Sequence, residues 1–271
     1  VIDEIHYFMS SIRGEHLRCL LSRLQLATNN IPVRIGLSAT IGNLTNAAKW
    51  LSAGTNTVCS LIKEDSKKKI KLSVNYYETN EDNKEISLTH IFKESNDSKN
   101  IIFTNSRKDV EEFAHELQLL SNKYNRKNIY NTHHASVSKQ LKENIEKEMK
   151  NTDAPLSIIS TTTLELGIDI GSLDKILQIG CPYKVSSFLQ RLGRTGRRTG
   201  LSCIDFFVLS KNNPQSTFID SINLDLLLTI AIIELYKDEK WVEEPIINIK
   251  PFNLLFQQTL AFLYANGETT Q

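Results

Sequence analysis

The amino-acid sequence predicts an α/β protein with two parallel-sheet domains, of which the first is incomplete, followed by the start of a helical region. Three observations support this fold class. Short apolar segments alternate with helical patterns from residue 72 to residue 210, as in a parallel sheet whose helices cover both faces. A charged stretch without apolar periodicity, residues 64–71, separates this part from the first. Beyond residue 210 only helical patterns follow.

The composition limits the function classes before any motif is considered. The 271 residues carry a formal net charge of +1, which argues against a protein coated with basic residues for nucleic acid. The charge is uneven, because residues 99–210 hold sixteen Lys and Arg against twelve Asp and Glu, whereas residues 211–271 hold four against eight. A site for a polyanion is therefore expected in the middle section.

Cysteine spacing and hydropathy indicate a cytoplasmic protein without a membrane span. The four cysteines are far apart and form no C-x-x-C pair, so they are expected to be buried free thiols in a reducing cytosol. The apolar run at residues 224–235 is too short to cross a bilayer and predicts a buried helix.

The first 63 residues open with an apolar strand pattern that ends in two carboxylates, Asp3 and Glu4. Open α/β sheets bind ligands at the carboxyl ends of their strands, and an acid pair there suits magnesium; an edge turn with exposed acids fits the same pattern. A helix at 14–27, a buried strand at 33–37 and a helix at 43–51 follow, the first helix with an apolar face of leucines. The triplet from Ser38 to Thr40 either hydrogen-bonds near the carboxylates or caps a helix.

The domain boundaries follow from these patterns. Residues 1–63 form the end of a first sheet domain, 64–71 a linker, 72–210 a second sheet domain, 211–244 a connecting helical segment and 245–271 the start of a further domain. Because the chain begins without methionine, inside a strand pattern, it is expected to be a fragment.

The second domain is predicted to repeat strand and helix. We expect strands at 72–77, 100–104, 128–131, 156–160, 175–179 and 202–209, and helices at 108–120, 138–150 and 185–192, with two more helices at 226–236 and 252–264. Hydroxyl groups and glycines follow the strands, and they are candidates for a track along a phosphate backbone. His133 and His134 have no matching metal-ligand spacing, which favours a role at the strand exit over metal binding.

Arginines recur every third residue in the segment QRLGRTGRR, residues 190–198. This spacing predicts that Arg191, Arg194 and Arg197 share one face of a helix end, where planar guanidinium groups suit phosphate oxygens. Gly193 and Gly196 predict the close approach of another backbone segment. A solvated basic run has the same pattern, so the segment has to be interpreted together with the other motifs.

Six motifs occur in order along the chain: DEIH at 3–6, SAT at 38–40, IIFTNSR at 101–107, HHAS at 133–136, TTTLELGID at 161–169 and QRLGRTGR at 190–197. The series resembles motifs II to VI of the superfamily 2 DEAD/DEAH-box helicases. The segments LELGIDIG, QIGCP and VSSFLQRLGRTGR are most similar to the large helicase-related (Lhr) family. The resemblance extends over most of the chain.

This resemblance implies two RecA-like domains with ATP hydrolysis at their interface, and residues 245–271 would begin a winged-helix domain. It implies an ATP-dependent helicase or translocase that separates DNA strands or DNA–RNA hybrids with 3′-to-5′ movement. ATP and magnesium would be the cofactors, and single-stranded or partly duplex nucleic acid the partner. The alternatives are a DEAD-box RNA helicase, which commonly has histidine where Gln190 stands, and a clamp that binds nucleic acid without hydrolysis.

The resemblance also assigns roles by matching position. Glu4 would orient and deprotonate the attacking water, and Asp3 would hold magnesium through water. Three further catalytic residues, at the γ-phosphate, would be Gln190, Arg194 and Arg197. The remaining roles are ATP binding at Gly167 and Asp169, coupling at His6, Ser38 and Thr40, and nucleic-acid contact at Thr104, Arg107, His134 and Thr161.

Two features depart from the family pattern. Ala135 stands where the Lhr pattern usually has glycine after the paired histidines, and alanine fits there only with a negative φ. The phosphate-binding motif G-x-x-x-x-G-K-[ST] is absent from the 271 residues, so the lysine for the β- and γ-phosphates would have to lie upstream, and the fragment alone is expected to be inactive.

Overall fold

The computed structural model describes residues 1–38, 41–63, 69–79, 81–165, 170–197, 200–211, 222–245 and 250–267. The chain divides into two compact units: unit 1 is Val1–Asp65 with Val242–Gln271, and unit 2 is Ser66–Trp241. Residues 242–271 therefore group with the first residues of the chain. The start of a winged-helix domain at residues 245–271 stays a prediction.

Unit 2 contains a six-stranded sheet in which every pairing is parallel. The strand order is β1-β6-β5-β2-β4-β3, with β1 and β3 at the edges. This confirms the predicted α/β fold with a parallel sheet. The strands are β1 (Lys69–Thr79), β2 (Lys99–Phe103), β3 (Tyr130–His133), β4 (Leu156–Ser160), β5 (Lys175–Ile179) and β6 (Leu201–Lys211).

Five described α-helices belong to unit 2, which also has a short 3-10 helix at Thr162–Leu164, and four described α-helices belong to unit 1. Those of unit 2 are α4 (Glu81–Ser95), α5 (Arg107–Lys123), α6 (Lys139–Asn151), α7 (Val185–Leu192) and α8 (Leu224–Lys237). Those of unit 1 are α1 (Ile5–Met9), α2 (Ile12–Thr28), α3 (Leu44–Ser52) and α9 (Phe252–Asn266).

Helices cover both faces of the sheet, as predicted. Neighbouring residues of a strand point to opposite faces, and β6 shows what each face meets. Phe206 packs against Phe188 of α7, with ring centroids 6.0 Å apart, whereas Phe207 packs against His90 of α4 at 5.2 Å. Both phenylalanines are fully buried, so the sheet forms the centre of the core.

Several predicted elements match the structure, and others differ in their ends or were not predicted. Strands β4 and β5 and helix α7 have the predicted ends, and Ser106 and Ser138 cap α5 and α6 through their hydroxyl oxygens. Strand β3 begins two residues later than predicted, and β1 begins at Lys69, inside the segment interpreted as a linker. Helix α4 was not predicted, although Leu88, Ile91 and Phe92 form its buried stripe.

Unit 1 corrects the prediction of two buried strands. Residues 1–6 and 33–37 meet in a single parallel bridge between Ile2 and Gly36. No other described segment extends this bridge, and Val33 is 87% exposed while Ile35 is 47% exposed. The bridge still aligns the carboxyl ends of both segments, because the Leu37 carbonyl accepts from the Ile5 N–H at 3.0 Å.

The apolar helices are also less buried than the sequence indicated. On α2, Leu20 and Leu24 of the predicted apolar face are exposed, and on α8 Leu224 and Leu227 are exposed, so α8 is not a buried helix. All four cysteines are free thiols, as predicted, but only Cys181 is buried. Among the described residues, none of the helices has the length and apolar character that a membrane span requires.

Candidate functional site

The acidic strand end brings together three of the residues predicted for catalysis and coupling. Glu4 adopts the left-handed conformation, with φ 50° and ψ 47°, and its N–H donates to the Asp3 carboxylate at 2.9 Å. The His6 ring nitrogen Nδ1 lies 2.7 Å from the Ser38 hydroxyl oxygen and 3.5 Å from Glu4 Oε2. The structure therefore joins His6 and Ser38 directly. Thr40 lies outside the described residues.

Glu4 is in an electrostatically unusual position. Its Oε2 atom is buried and has no hydrogen-bond partner among the described residues. Burial lowers the pKa of the neighbouring His6, and the charge of Glu4 partly opposes this effect. A left-handed glutamate and a carboxylate oxygen without a hydrogen bond are both locally unfavourable, and such features concentrate at functional sites.

The four residues predicted to contact nucleic acid lie at the carboxyl-terminal ends of neighbouring strands of the sheet. They follow β2, β3 and β4, which are neighbours and parallel, so their carboxyl ends coincide. Arg107 is exposed, and its Nη1 donates to the Ser136 hydroxyl at 3.1 Å, which links the exits of β2 and β3. Thr161 is half-buried at the exit of β4. Thr104 is only 1% exposed and donates its hydroxyl to the Ser106 carbonyl at 3.1 Å.

The paired histidines after β3 both contact carboxylates. His134 is buried, its Nε2 meets Glu111, and its Nδ1 accepts from the Ser136 N–H at 3.3 Å. Ala135 is not among the residues with positive φ, so alanine is compatible with this loop. His133, for which the sequence predicted only a role at the strand exit, has its Nε2 2.8 Å from Glu146.

His133 also reaches the residues that follow β4. Its Nδ1 lies 3.1 Å from the Thr163 hydroxyl oxygen, and that hydroxyl lies 3.2 Å from the His133 carbonyl oxygen. His133 is 2% exposed. These contacts hold the threonine-rich turn beside the exit of β3. No described group of His, Cys, Asp and Glu side chains has the geometry of a metal site.

The arginine segment differs from the prediction of one shared basic face. Arg191 is 2% exposed and points into unit 2, Arg194 is 8% exposed, and Arg197 is exposed. The correction has a simple cause: Arg191 lies on α7, Arg194 follows the end of that helix, and Arg197 lies beyond the next turn. Gln190, also on α7, is half-buried.

A buried network surrounds Arg191. Its Nε donates to Glu165 Oε1 at 2.8 Å, and its Nη2 contacts the same oxygen. Its Nη1 contacts Gln178, and the guanidinium carbon lies 4.5 Å from the centre of the Phe103 ring. Burial lowers the pKa of Arg191, and the charge of Glu165 opposes that effect. An unpaired charge in a protein interior is costly, so removing either partner of this pair is expected to destabilise unit 2.

Glu165 connects the fifth motif to the sixth. Its side chain also accepts from the Ser187 hydroxyl at 3.2 Å, and its backbone carbonyl accepts from Arg194 Nη2 at 2.5 Å. The residue predicted as a catalytic arginine is thus held by the residue that pairs with Arg191. Glu165 was not among the predicted site residues; its signal in the sequence is a glutamate between the apolar residues Leu164 and Leu166.

Gly196 shows the predicted close approach of another backbone segment. Its φ is +74°, and a Cβ atom there would lie 2.6 Å from Ser202 Oγ and 2.9 Å from the Ser202 nitrogen. Glycine is therefore required where the arginine segment turns towards β6. Gly167 and Asp169 lie outside the described residues, and so does Arg198.

Comparison with known proteins agrees with this geometry. The helicase conserved C-terminal domain family matches residues 83–199. The ATP-dependent helicase Lhr-Core of Methanocaldococcus jannaschii is 36% identical over 205 residues, which cover 73% of this chain and 23% of the relative. The Lhr helicase/uracil glycosylase of Escherichia coli is 26% identical over 248 residues, covering 74% of this chain and 16% of the relative.

Solved structures extend the similarity to nearly the whole chain. The structure of Mycobacterium smegmatis helicase Lhr bound to ssDNA and AMP-PNP has a TM-score of 0.77 and 26% identity, and the match covers 97% of this chain and 33% of that one. The DUF1998 helicase MrfA bound to DNA and AMPPNP has a TM-score of 0.75 and 25% identity, over 98% of this chain and 36% of that one.

The fold and these matches define a member of the superfamily 2 helicases, with a RecA-like parallel sheet. Within that superfamily the chain is most like the Lhr helicases. It spans about a quarter of the length of the archaeal Lhr-Core relatives that it matches.

Proposed function

We propose that this chain works as part of an ATP-dependent helicase or translocase that separates DNA strands or DNA–RNA hybrids with 3′-to-5′ movement. Its similarity to Lhr and MrfA, whose structures hold DNA together with AMP-PNP, supports this reaction class. The competing function is a clamp that grips nucleic acid without hydrolysing ATP. The two functions differ in whether Asp3 and Glu4 take part in a reaction.

The observation that carries the proposal is the buried Oε2 atom of Glu4, which has no hydrogen-bond partner among the described residues. Leaving a buried polar atom unsatisfied costs about 1–3 kcal/mol. The left-handed backbone of Glu4 adds a further local cost. A clamp gains nothing from either, whereas a hydrolase needs a positioned carboxylate beside the attacking water.

Asp3 and Glu4 fit the cofactors that this chemistry requires. Magnesium binds oxygen ligands and usually keeps several waters, and the exposed Asp3 carboxylate would hold it through such a water. Bound ATP supplies the phosphoryl group that is transferred. Glu4 orients the attacking water and accepts its proton, and His6 passes the state of this site to Ser38 through their hydrogen bond.

Unit 2 contributes the positive charge that phosphoryl transfer requires. Arg197 is exposed, and we propose that it stabilises the negative charge that develops on the transferred phosphoryl group. Arg194 is assigned to the same phosphate, with the Glu165 carbonyl as its support, and Gln190 adjoins them on α7. Gly167 and Asp169 are assigned to the nucleotide, and Thr40 to coupling, on the resemblance alone.

The edge formed by the exits of β2, β3 and β4 is proposed as the track for nucleic acid. Arg107 offers a charge to phosphate, and Thr161 offers a hydroxyl to the backbone. Thr104 and His134 support the loops on which these residues lie, through their bonds to Ser106 and Glu111. Such contacts position a strand without reading its sequence.

Salt dependence of binding tests this track. For the whole 271-residue chain and a labelled oligo-dT, Arg107→Ala should weaken binding and flatten the slope of log affinity against log salt by about 0.7, the value for one phosphate contact on a single strand. Thr161→Val should weaken binding without changing the slope, because a hydroxyl releases no counterion. Fluorescence anisotropy at several salt concentrations measures both quantities.

Arg126 provides the matched control for Arg107. It is an exposed arginine that follows α5 and precedes β3, so it lies at the opposite end of the sheet, where it pairs with Asp97 at 3.7 Å. Arg126→Ala should leave affinity and slope unchanged. Equal losses for Arg107→Ala and Arg126→Ala would mean that binding follows general charge and that the track is misplaced.

The chain by itself should not hydrolyse ATP, with or without nucleic acid. Its 271 residues contain no G-x-x-x-x-G-K-[ST] motif, so no loop holds the β- and γ-phosphates in line with Glu4. Phosphate release from the purified chain, measured with and without an oligonucleotide, checks this. Turnover that nucleic acid stimulates and Glu4→Gln removes would contradict the prediction.

A further inference from the structure

We propose that the ring of Tyr183 is a platform on which one base of a bound single strand stacks. The proposal rests on the proposed nucleic-acid track and adds a contact with a base to its contacts with phosphate and sugar. Tyr183 lies in none of the motifs identified in the sequence.

Tyr183 combines an exposed ring with a constrained backbone. The residue is 59% exposed although aromatic, and its φ of 56° lies in the left-handed region, where a bulky residue is rare. Its N–H donates to the Cys181 sulfur at 3.4 Å. Burial and the negative charge of Asp225 raise the pKa of its phenol. The backbone of Tyr183 is thus constrained while its ring remains open to solvent.

The loop that carries Tyr183 is held against the loop that follows β2. Asn105 follows β2, its Nδ2 donates to the Cys181 carbonyl at 3.0 Å, and it packs against Gly180, which follows β5. A Cβ atom on Gly180 would lie 2.9 Å from Asn105 Nδ2, and Gly180 has a φ of +74°, so glycine is needed for this contact. Strands β2 and β5 pair directly, so these loops lie side by side at the carboxyl edge of the sheet.

The surroundings favour a base over a phosphate or an apolar protein surface. Arg107, two residues after Asn105, is the exposed cation of the proposed track, and sites for single strands usually combine positive charge with exposed aromatic rings. The negative charge of Asp225 disfavours phosphate at the phenol, whereas the exposed face of the ring is accessible to a base. Because the backbone of Tyr183 is already constrained, stacking requires less ordering of this loop.

Base stacking can be separated from phosphate binding with two strands. One is a labelled oligo-dT and the other is a deoxyribose-phosphate chain of equal length without bases. With the 271-residue chain, Tyr183→Ala should weaken binding to oligo-dT about 5- to 150-fold. It should not change binding to the chain without bases, and Tyr183→Phe, which keeps the ring, should retain most of the affinity for oligo-dT.

Wild-type protein provides a test that no folding defect can affect. An oligo-dT in which one thymine is replaced by 5-iodouracil should crosslink to Tyr183 on irradiation, and peptide mass spectrometry locates the crosslink. Unchanged binding of oligo-dT to Tyr183→Ala, or equal losses on both strands, would overturn the platform. So would a crosslink that maps only to other residues.

Failure of the platform and failure of the proposed track give different results. If Arg107→Ala weakens binding and Tyr183→Ala does not, the track is supported and Tyr183 only links β5 to α7. If wild-type protein binds neither strand, both proposals are wrong for this chain. The Arg126→Ala variant serves again as the control for general charge.

Discussion

Replacing Arg197 with alanine should reduce ATP turnover by about three to five orders of magnitude, the effect of an arginine that meets the charge on a transferring phosphoryl group. Because the 271 residues contain no phosphate-binding motif, the measurement uses a chimaera in which this chain is joined to the preceding segment of the ATP-dependent helicase Lhr-Core of Methanocaldococcus jannaschii. The affinity for ATP should change far less, because the charge develops mainly in the transition state.

Arg198→Ala is the control, since Arg198 adjoins Arg197 in sequence but matches no motif position. Its turnover should stay within a few-fold of the unmodified chimaera. Equal losses in the two variants would show that the segment acts as a general basic patch. Steady-state kinetics with saturating nucleic acid separate the turnover number from the Michaelis constant for ATP.

Replacing Arg191 with methionine should lower the free energy of unfolding by about 3–5 kcal/mol, the cost of breaking a buried ion pair by removing one partner. The variant leaves the Glu165 carboxylate 7% exposed and without its guanidinium. Urea unfolding of the 271-residue chain, followed by circular dichroism, measures the change. Arg197→Met, at an exposed position of the same segment, should stay within about 0.5 kcal/mol of wild type.

The double variant Arg191→Met with Glu165→Leu tests the cause of this loss. Replacing both members of a buried pair by apolar residues is often neutral or stabilising, so the double variant should regain most of the lost stability. If Arg191→Met unfolds at the same urea concentration as Arg197→Met, the buried network does not stabilise unit 2.

Elements whose burial is decided locally could be predicted from the sequence. Strands β4 and β5 are short apolar runs bounded by turn residues, and their ends agree with the prediction. Helix α4 was missed because its buried apolar stripe comprises only Leu88, Ile91 and Phe92, while Ile86 is 55% exposed and obscures the helical period. The prediction of a buried strand at 33–37 was wrong for the opposite reason: Val33, Ile35 and Leu37 are apolar but remain exposed in the described structure.

In the candidate site, too, some groupings of residues could be predicted from the sequence and others could not. The meeting of β2, β3 and β4 at one edge follows from parallel pairing, so Arg107, His134 and Thr161 could be grouped before any coordinates were known. The pairing of Arg191 with Glu165 could not be predicted, because a sequence does not reveal which charged residues 26 positions apart are buried together. Charged residues are mostly exposed, and the exceptions are decided by tertiary contacts.

The pairing of β1 with β6 has a consequence for synthesis of the protein. Lys69 pairs with Leu201, so the first strand of unit 2 leaves the ribosome about 130 residues before its partner. At a translation rate of about 5–20 residues per second, the eleven residues of β1 remain without their partner strand for about 7–26 s. Lys69 and Lys71 carry charge at the beginning of that waiting strand, where it discourages pairing with another nascent chain. A chain that stops before residue 201 never acquires the partner of β1, and one that starts after residue 79 leaves β6 with an open edge.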